Sequence, residues 1–266
     1  MGGVVRNVIP GFRISDSAID NDVKLVAAMG VEMVNGKEIT DIEALKKDYD
    51  YVVLAVGASE QGVLKLEAGD TMNALDFLAR FKATEGKVEL GKNVVVIGGG
   101  NTAMDTARAA KRNAGVEKVS LVYRRTRRYM PADEEELVMA VEDGVEFAEL
   151  LAPVKLENGV LYCKKMVLGD MDASGRRGVV ETDETVEVPA DTVIAAVGEK
   201  VPGAFYESFG IALDSRRRPQ VNRSTLETSV KGVYVAATAC TGQPRLLRES
   251  GTARWPQRQL WQGTGR

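Results

Sequence analysis

A chain of 266 residues, 44% of them hydrophobic, is long enough to bury one large core or two modest ones. Its 35 Lys and Arg stand against 38 Asp and Glu, and the net charge of −3 gives no overall attraction to nucleic acid or to an anionic membrane. Histidine is absent, which removes the usual general base and the commonest metal ligand, and the two cysteines, Cys163 and Cys240, form no C-x-x-C pair, which argues for a reducing compartment.

From Ser15, an amphipathic pattern sets Ile19, Val23, Val26 and Ala27 on one helical face, and Gly30 is suited to a left-handed cap. A strand over residues 31–34 and a short helix over residues 42–47 are predicted next. Residues 51–56 are an unbroken apolar run ended by Gly57, the pattern of a parallel strand buried on both faces. Residues 91–97 form another such strand, residues 102–112 an Ala-rich helix closed by Gly115, and residues 118–123 the next strand, completing a βαβ unit. Pro131-Ala132-Asp133-Glu134-Glu135-Glu136 opens a helix to about residue 142, its carboxylates placed favourably for the helix dipole and Gly144 ending it. Residues 154–188 alternate β-like stretches with turns at Asn158-Gly159 and Ser174-Gly175, which predicts an antiparallel meander laid on the parallel sheet. Residues 191–198 and 232–236 are two further apolar strands.

Gly98-x-Gly100-x-x-Ala103 fits the G-x-G-x-x-G/A dinucleotide fingerprint. The first glycine allows a tight turn, the second admits a pyrophosphate, and the third small residue lets helix approach strand. The full turn, Gly98-Gly99-Gly100-Asn101-Thr102-Ala103, joins a strand to a helix, so amides at the helix start point at an anion. The alternative is a Gly-rich turn that serves helix packing alone.

In NAD-specific versions an acid ends the second strand, but this strand ends Val122-Tyr123-Arg124-Arg125. Guanidinium groups suit a 2′-phosphate, which favours NADPH over NADH. The alternative is that Arg124, Arg125, Arg127 and Arg128 are a solvated charge run, Arg127 above all. No interleaved aromatics support a nucleic-acid patch. Ala55-Val56-Gly57-Ala58 and Ala196-Val197-Gly198-Glu199 each put a small residue and a glycine at the carboxyl edge of a sheet, where ligands bind, or else make ordinary strand-to-loop turns.

Ile9-Pro10-Gly11-Phe12-Arg13, residues 51–58, residues 95–108, Val122-Tyr123-Arg124-Arg125, Met130-Pro131-Ala132 and residues 191–199, in that order, carry a family resemblance. The chain resembles the small, NADPH-oxidising subunit of glutamate synthase and its flavoprotein relatives in the pyridine nucleotide-disulphide oxidoreductase superfamily. Those relatives include the flavin region of dihydropyrimidine dehydrogenase and the flavoprotein part of a proposed selenate reductase.

The resemblance implies an α/β fold in which a Rossmann-like, three-layer (ββα) NADPH-binding domain, residues 89–198, is inserted in a partial FAD-type α/β domain, residues 1–88 and 199–236, followed by an atypical tail, residues 237–266. It implies hydride transfer from NADPH to FAD and electron flow to iron–sulfur clusters. Carried over by position, Gly98, Gly99, Gly100, Asn101, Thr102, Ala103 and Met104 line the pyrophosphate turn, Arg124, Arg125 and Arg128 the 2′-phosphate, and Ala196, Val197 and Gly198 the far side. No residue is assigned as acid, base, nucleophile or metal ligand, because hydride transfer is cofactor chemistry that the protein assists by positioning.

The family's flavin-binding Gly-rich turn and its cysteine-rich segment lie ahead of Met1, so the resemblance implies a fragment whose partners are missing flavin and iron–sulfur segments or a large electron-accepting subunit. The family also has a Gly-Asp pair after its last strand, where this chain reads Val235-Ala236-Ala237-Thr238-Ala239. From Thr238 the family pattern stops, and Trp255 and Trp261 both lie in that tail, for which translation out of frame is one explanation.

Apolar runs such as residues 94–97 and 193–197 are far short of a membrane span and no signal peptide opens the chain, so a cytoplasmic location is expected. Two functions stay open. One is the NADPH-binding part of a flavin-dependent oxidoreductase, the other a catalytically silent nucleotide-binding module or scaffold, since the flavin site is incomplete in this chain. An independent alcohol dehydrogenase lacks its Tyr-x-x-x-Lys pair, and a disulfide reductase lacks its cysteine pair.

Overall fold

The computed structural model describes residues 1–58, 60–171 and 177–236. The chain runs α1 (Gly3–Asn7), α2 (Asp16–Ala28), α3 (Ile42–Asp48), β1 (Val52–Leu54), β2 (Glu60–Gln61), β3 (Met72–Asn73), α4 (Ala74–Ala83), β4 (Asn93–Ile97), α5 (Asn101–Arg112), β5 (Lys118–Tyr123) and α6 (Glu134–Glu142). It continues through β6 (Glu146–Glu149), β7 (Leu151–Glu157), β8 (Val160–Met171), β9 (Arg177–Pro189), β10 (Thr192–Ala195), β11 (Glu199–Lys200), α7 (Gly203–Ser208) and β12 (Val233–Val235). Cys240, both tryptophans, the Ser174-Gly175 turn and the tail at 237–266 lie outside the described residues.

The packing divides into two units, Met1–Lys37 with Gln61–Gly198, and Glu38–Glu60 with the described part of Glu199–Arg266. In the first unit, β3, β10, β4, β5 and β6 form one sheet in that order, every pairing parallel. Side chains on a strand alternate between faces, and β4 uses both. Val94 and Val96 face a core made with Phe77 of α4, Met104 and Ala107 of α5, and Leu137 of α6. Val95 and Ile97 face a second core made with Leu151, Leu161 and Cys163 of the β7–β8–β9 meander. Helices, parallel sheet and antiparallel meander are the three expected layers. Burying each of these Val, Ile and Leu side chains is worth about 1.5–3 kcal/mol, which fixes β4 at the centre of the unit.

Asp191, just before β10, ties the start of this sheet together. Its Oδ2 accepts from the amides of Lys92 and Asn93, both at 2.8 Å. These donors hold its carboxyl below the usual carboxylate range.

In the second unit β1 and β12 pair in parallel, Val52 opposite Val233 and Leu54 opposite Val235, over a core with Ile42, Tyr206 and Ile211. The predicted run at 51–56 is realised only as Val52–Leu54, and Val53 is 53% exposed. Among the described residues β1 has one strand neighbour and one covered face, so the expected burial on both faces is not found. Residues 31–34 form no strand. Val31 and Val34 stay exposed, and residues 31–34 pair with no strand of the described residues. The predicted helix α2 is present, started by Ser15, whose hydroxyl accepts from the Ala18 amide. Of its expected apolar face only Ile19 is buried, while Val26 is exposed.

Candidate functional site

The turn between β4 and α5 sits at the carboxyl edge of the five-stranded sheet. Each glycine in it has its own reason. A Cβ on Gly98 would lie 2.5 Å from the Ala196 carbonyl oxygen and 3.0 Å from the Ala103 Cβ, so helix, strand and turn could not approach as they do. A Cβ on Gly99 would run into the ring of Tyr123, which is buried at the end of β5. Gly100 differs, with nothing within 4 Å of the place a Cβ would take. Gly100 is the N-cap of α5 and supplies no side-chain cap. Its carbonyl accepts from the amides of Ala103 at 2.9 Å and Met104 at 3.3 Å, which closes the first turn. A helix start whose N-cap adds no side chain, beside open space at Gly100, presents the positive end of the helix dipole.

The turn is braced from behind by the segment that leads into α6. The Gly99 carbonyl accepts from Ala132 N at 2.9 Å. Asn101 Oδ1 accepts from Asp133 N at 3.1 Å, and Asn101 Nδ2 donates to Asp133 Oδ2 at 3.3 Å. Asn101 was expected to line the pyrophosphate turn, and its amide group serves this brace. Ala103 and Met104 are both fully buried, Ala103 against Gly98 and Met104 in the helix-side core.

Ala196 lies beside the turn, its amide bound to the Ile97 carbonyl at 2.8 Å. Val197 is exposed, and the Gly198 carbonyl accepts from Gly62 N at 2.8 Å. Gly98, Ala103 and Ala196 are thus brought together, with Ala196, expected on the far side, directly against the turn. Gly57 has a φ of +72° and belongs to the second unit.

Arg124 and Arg125 follow β5 directly, one strand away from the Gly-rich turn, since Val122 pairs with Ile97. Arg124 and Arg128 are exposed, and neither meets a carboxylate among the described residues. The Arg125 Nε is buried without an acceptor among the described residues. Arg127 is engaged elsewhere, with Glu134 at 2.8 Å and, through its amide, with Glu149 Oε2 at 2.8 Å. Its reading as part of a charge run fits that placement.

The sequence reading missed an ionic cluster behind this site. Arg13 Nε lies 2.7 Å from Asp105 Oδ1, and Arg13 Nη1 lies 2.6 Å from Glu136 Oε1. Asp105 is only 9% exposed. Burial pushes its carboxyl above the usual range, with Arg13 opposing and Glu136 adding to the rise. Next to Arg13, Phe12 lies under the guanidinium groups of Arg108 and Arg112, at 5.1 and 4.5 Å, and both of these bind Asp143. Glu136 had been given only a helix-dipole role. The available signal was Asp105 itself, a charge among Met104, Ala107 and Ala109 on the helix face that must be buried.

Among the described residues no group of His, Cys, Asp and Glu could hold a metal ion, and no helix is long and apolar enough to cross a membrane.

Residues 10–253 match the family described as pyridine nucleotide-disulphide oxidoreductase. The chain belongs to this family. It is 42% identical over 261 residues to "Putative oxidoreductase YgfK" of Escherichia coli (strain K12), covering 95% of this chain and 25% of that protein. The glutamate synthase [NADPH] small chain of the same organism is 33% identical over 270 residues, covering 91% of this chain and 57% of that one. The family expected from the sequence is therefore found, and the chain spans only part of these family members. Among solved structures, Mycobacterium tuberculosis FprA in complex with NADPH superposes with a TM-score of 0.70 at 19% identity, over 91% of this chain and 70% of that one. At that identity the likeness is one of fold, here an α/β fold of the reductase kind.

Proposed function

We propose that the unit carrying the Gly98–Ala103 turn binds NADPH, and that the whole protein is a flavin-dependent oxidoreductase for which this unit takes up the reductant. The observation that carries the reading is the contrast within the turn. Gly98 and Gly99 are required by close approach of protein atoms, whereas Gly100, the N-cap of α5, faces open space and brings no side chain of its own. A turn needed only for packing would have no use for a glycine there. NADPH in the names of the glutamate synthase and FprA relatives supports the same reading.

When bound, the nicotinamide supplies a hydride. The chain's own residues bind and orient. The amides around Gly100 and Asn101 receive the pyrophosphate, and the exposed Arg124 and Arg128, with the unpartnered Nε of Arg125, receive the 2′-phosphate. Ala196 flanks the turn, and Val197 and Gly198 continue from it along the rest of the site. In this reading residues 89–198 are the centre of the NADPH-binding domain; residues 1–37 and 61–88, expected from the resemblance in a flavin-type domain, pack with them in the first unit, which leaves residues 38–60 and 199–236 to the flavin-type domain. The flavin is assigned to the whole protein, because the chain contains one Gly-x-Gly-x-x-Ala turn and the nicotinamide cofactor takes it. Electron-accepting segments or subunits, and a cytoplasmic location, belong to the same proposal. The second reading, a nucleotide-binding module without flavin, rests on that single turn.

Titration of the purified chain with NADPH and NADH, read by nicotinamide fluorescence, tests the proposal. Arg124→Ala with Arg125→Ala is expected to weaken NADPH by about tenfold or more, the scale of charge-assisted bonds, and to change NADH little. Equal loss for both cofactors would remove the 2′-phosphate assignment. Visible flavin absorbance in the purified whole protein, expected in the first reading and absent in the second, separates the two.

A further inference from the structure

Arg13 lies far in sequence from the Gly-rich turn, yet it bridges the two helices that hold that turn. Asp105 is on α5, one turn beyond Asn101, and Glu136 is on α6, three residues beyond Asp133. Asn101 and Asp133 are themselves hydrogen-bonded to each other. The ion pairs of Arg13 with Asp105 and Glu136 and the Asn101–Asp133 bonds are therefore two successive rungs between α5 and α6, with Ala132 N on the Gly99 carbonyl as a third. The segment that delivers Arg13 is itself anchored. Lys82 Nζ of α4 donates to the Ile9 carbonyl at 3.2 Å, and Phe12 is held by Arg108 and Arg112.

We propose that Arg13 is a positioning residue for NADPH binding: by neutralising Asp105 and Glu136 together it holds the first turns of α5 and α6 at the spacing that keeps the Gly98–Ala103 turn braced. The inference rests on the NADPH reading given above and adds to it a residue outside the binding turn. Without the guanidinium, two largely buried carboxylates would face each other. Glu136 Oε2 already has no hydrogen-bond partner among the described residues, and Arg108, the nearest other cation on α5, is committed to Asp143. Repulsion would then open the rungs.

This role has a signature that general support of the fold would not give. In Arg13→Ala, lowering the pH lets one carboxyl of the pair, Asp105 first because burial already raises it, take a proton. The repulsion then disappears and NADPH binding recovers. Titration of the 2′-phosphate, with its second pKa of about 6, affects wild type and variant alike and cancels in their ratio.

The test measures NADPH Kd across a pH series from mildly acidic to mildly alkaline for wild type, Arg13→Ala, Arg13→Lys and Arg13→Ala with Asp105→Asn, with urea midpoints taken in parallel. Arg13→Ala is expected to bind about tenfold more weakly at the high end, within the ordinary span of coupling between sites. Its ratio to wild type should fall toward one at the low end, and Asp105→Asn should restore binding at all pH values. A ratio flat in pH, or a lowered urea midpoint with unchanged Kd, overturns the assignment. Should Arg13→Ala not fold, Arg13→Lys decides. A point charge cannot fork between two carboxylates, so a deficit that narrows with falling pH supports the proposal and a flat one overturns it. If wild type itself fails to bind NADPH, the nucleotide reading falls and takes this one with it. If wild type binds and Arg13→Ala matches it throughout, only the Arg13 role falls.

Discussion

Replacing Gly100 and Gly98 by alanine, one at a time, separates binding from folding within a single turn. Gly100 has φ −98° and ψ 174°, extended backbone open to any residue, and its added methyl meets no protein atom within 4 Å. Alanine there gives up a few tenths of a kcal/mol as an N-cap and regains about 0.4–1 kcal/mol by restricting the unfolded chain. The stability of Gly100→Ala should therefore stay within about 0.5 kcal/mol of wild type. On the proposed reading its methyl would occupy the space by which a pyrophosphate reaches the helix amides, so NADPH should bind at least about tenfold more weakly, about 1.4 kcal/mol. In Gly98→Ala the new carbon would sit 2.5 Å from the Ala196 oxygen, against about 3.3 Å for close carbon–oxygen contact. Something must shift, and overpacking of this kind costs about 1–3 kcal/mol. Urea unfolding and NADPH titration on the two variants give the four numbers needed. Wild-type affinity in Gly100→Ala would refute the reasoning, as would destabilisation of Gly100→Ala equal to that of Gly98→Ala.

Two further outcomes concern stability. Asp191→Asn should lose a few tenths of a kcal/mol and at most about 1 kcal/mol, since the charged acceptor of two backbone amides becomes neutral at an exposed, solvent-screened position. Because those amides hold the folded carboxyl low, that stability is full above the unfolded pKa of about 3.9 and is lost as pH falls through the lower folded value. The gap between wild type and Asp191→Asn in urea midpoint should thus be constant at neutral pH and close in acid; a gap that widens in acid would contradict the assignment. Burial pushes the Cys163 thiol up to about 11. Its neutral folded form makes stability fall as pH rises beyond about 8.5, where an unfolded thiol ionises. Peptide mapping after alkylation should find Cys163 unmodified in the folded protein and modified in urea.

The elements legible in the sequence were those whose reasons are local. The β4–α5–β5 unit, with its fully apolar strand and three-glycine turn, appears where the pattern placed it, and β5 matches residue for residue. The meander was legible from its Asn158-Gly159 turn, both residues of which have positive φ. Residues 31–34 were not, because an apolar run becomes a strand only when a neighbouring edge accepts its hydrogen bonds. The exposure of Val26 and Val53 escaped for the same reason, since periodicity reports which side is apolar and not what covers it. At the proposed site, the place of the glycine turn between β4 and α5 and of the arginines directly after β5 could be read by spacing. The Arg13–Asp105–Glu136 cluster could not, because its members are brought together only by the docking of α5, α6 and the N-terminal segment.

The hydrogen bond from Gly62 N to the Gly198 carbonyl has a consequence for how such a unit can be inherited. It places entry and exit of the stretch between them side by side, so the stretch could be cut out and its ends rejoined, or spliced into another host, with little strain at the seam. Residues 9–13 lie outside those two points, however. A cassette bounded by Gly62 and Gly198 would travel with Asp105 and Glu136 but without their cation. Any transplant that keeps the fold must carry that short strap along or neutralise the acids it leaves bare.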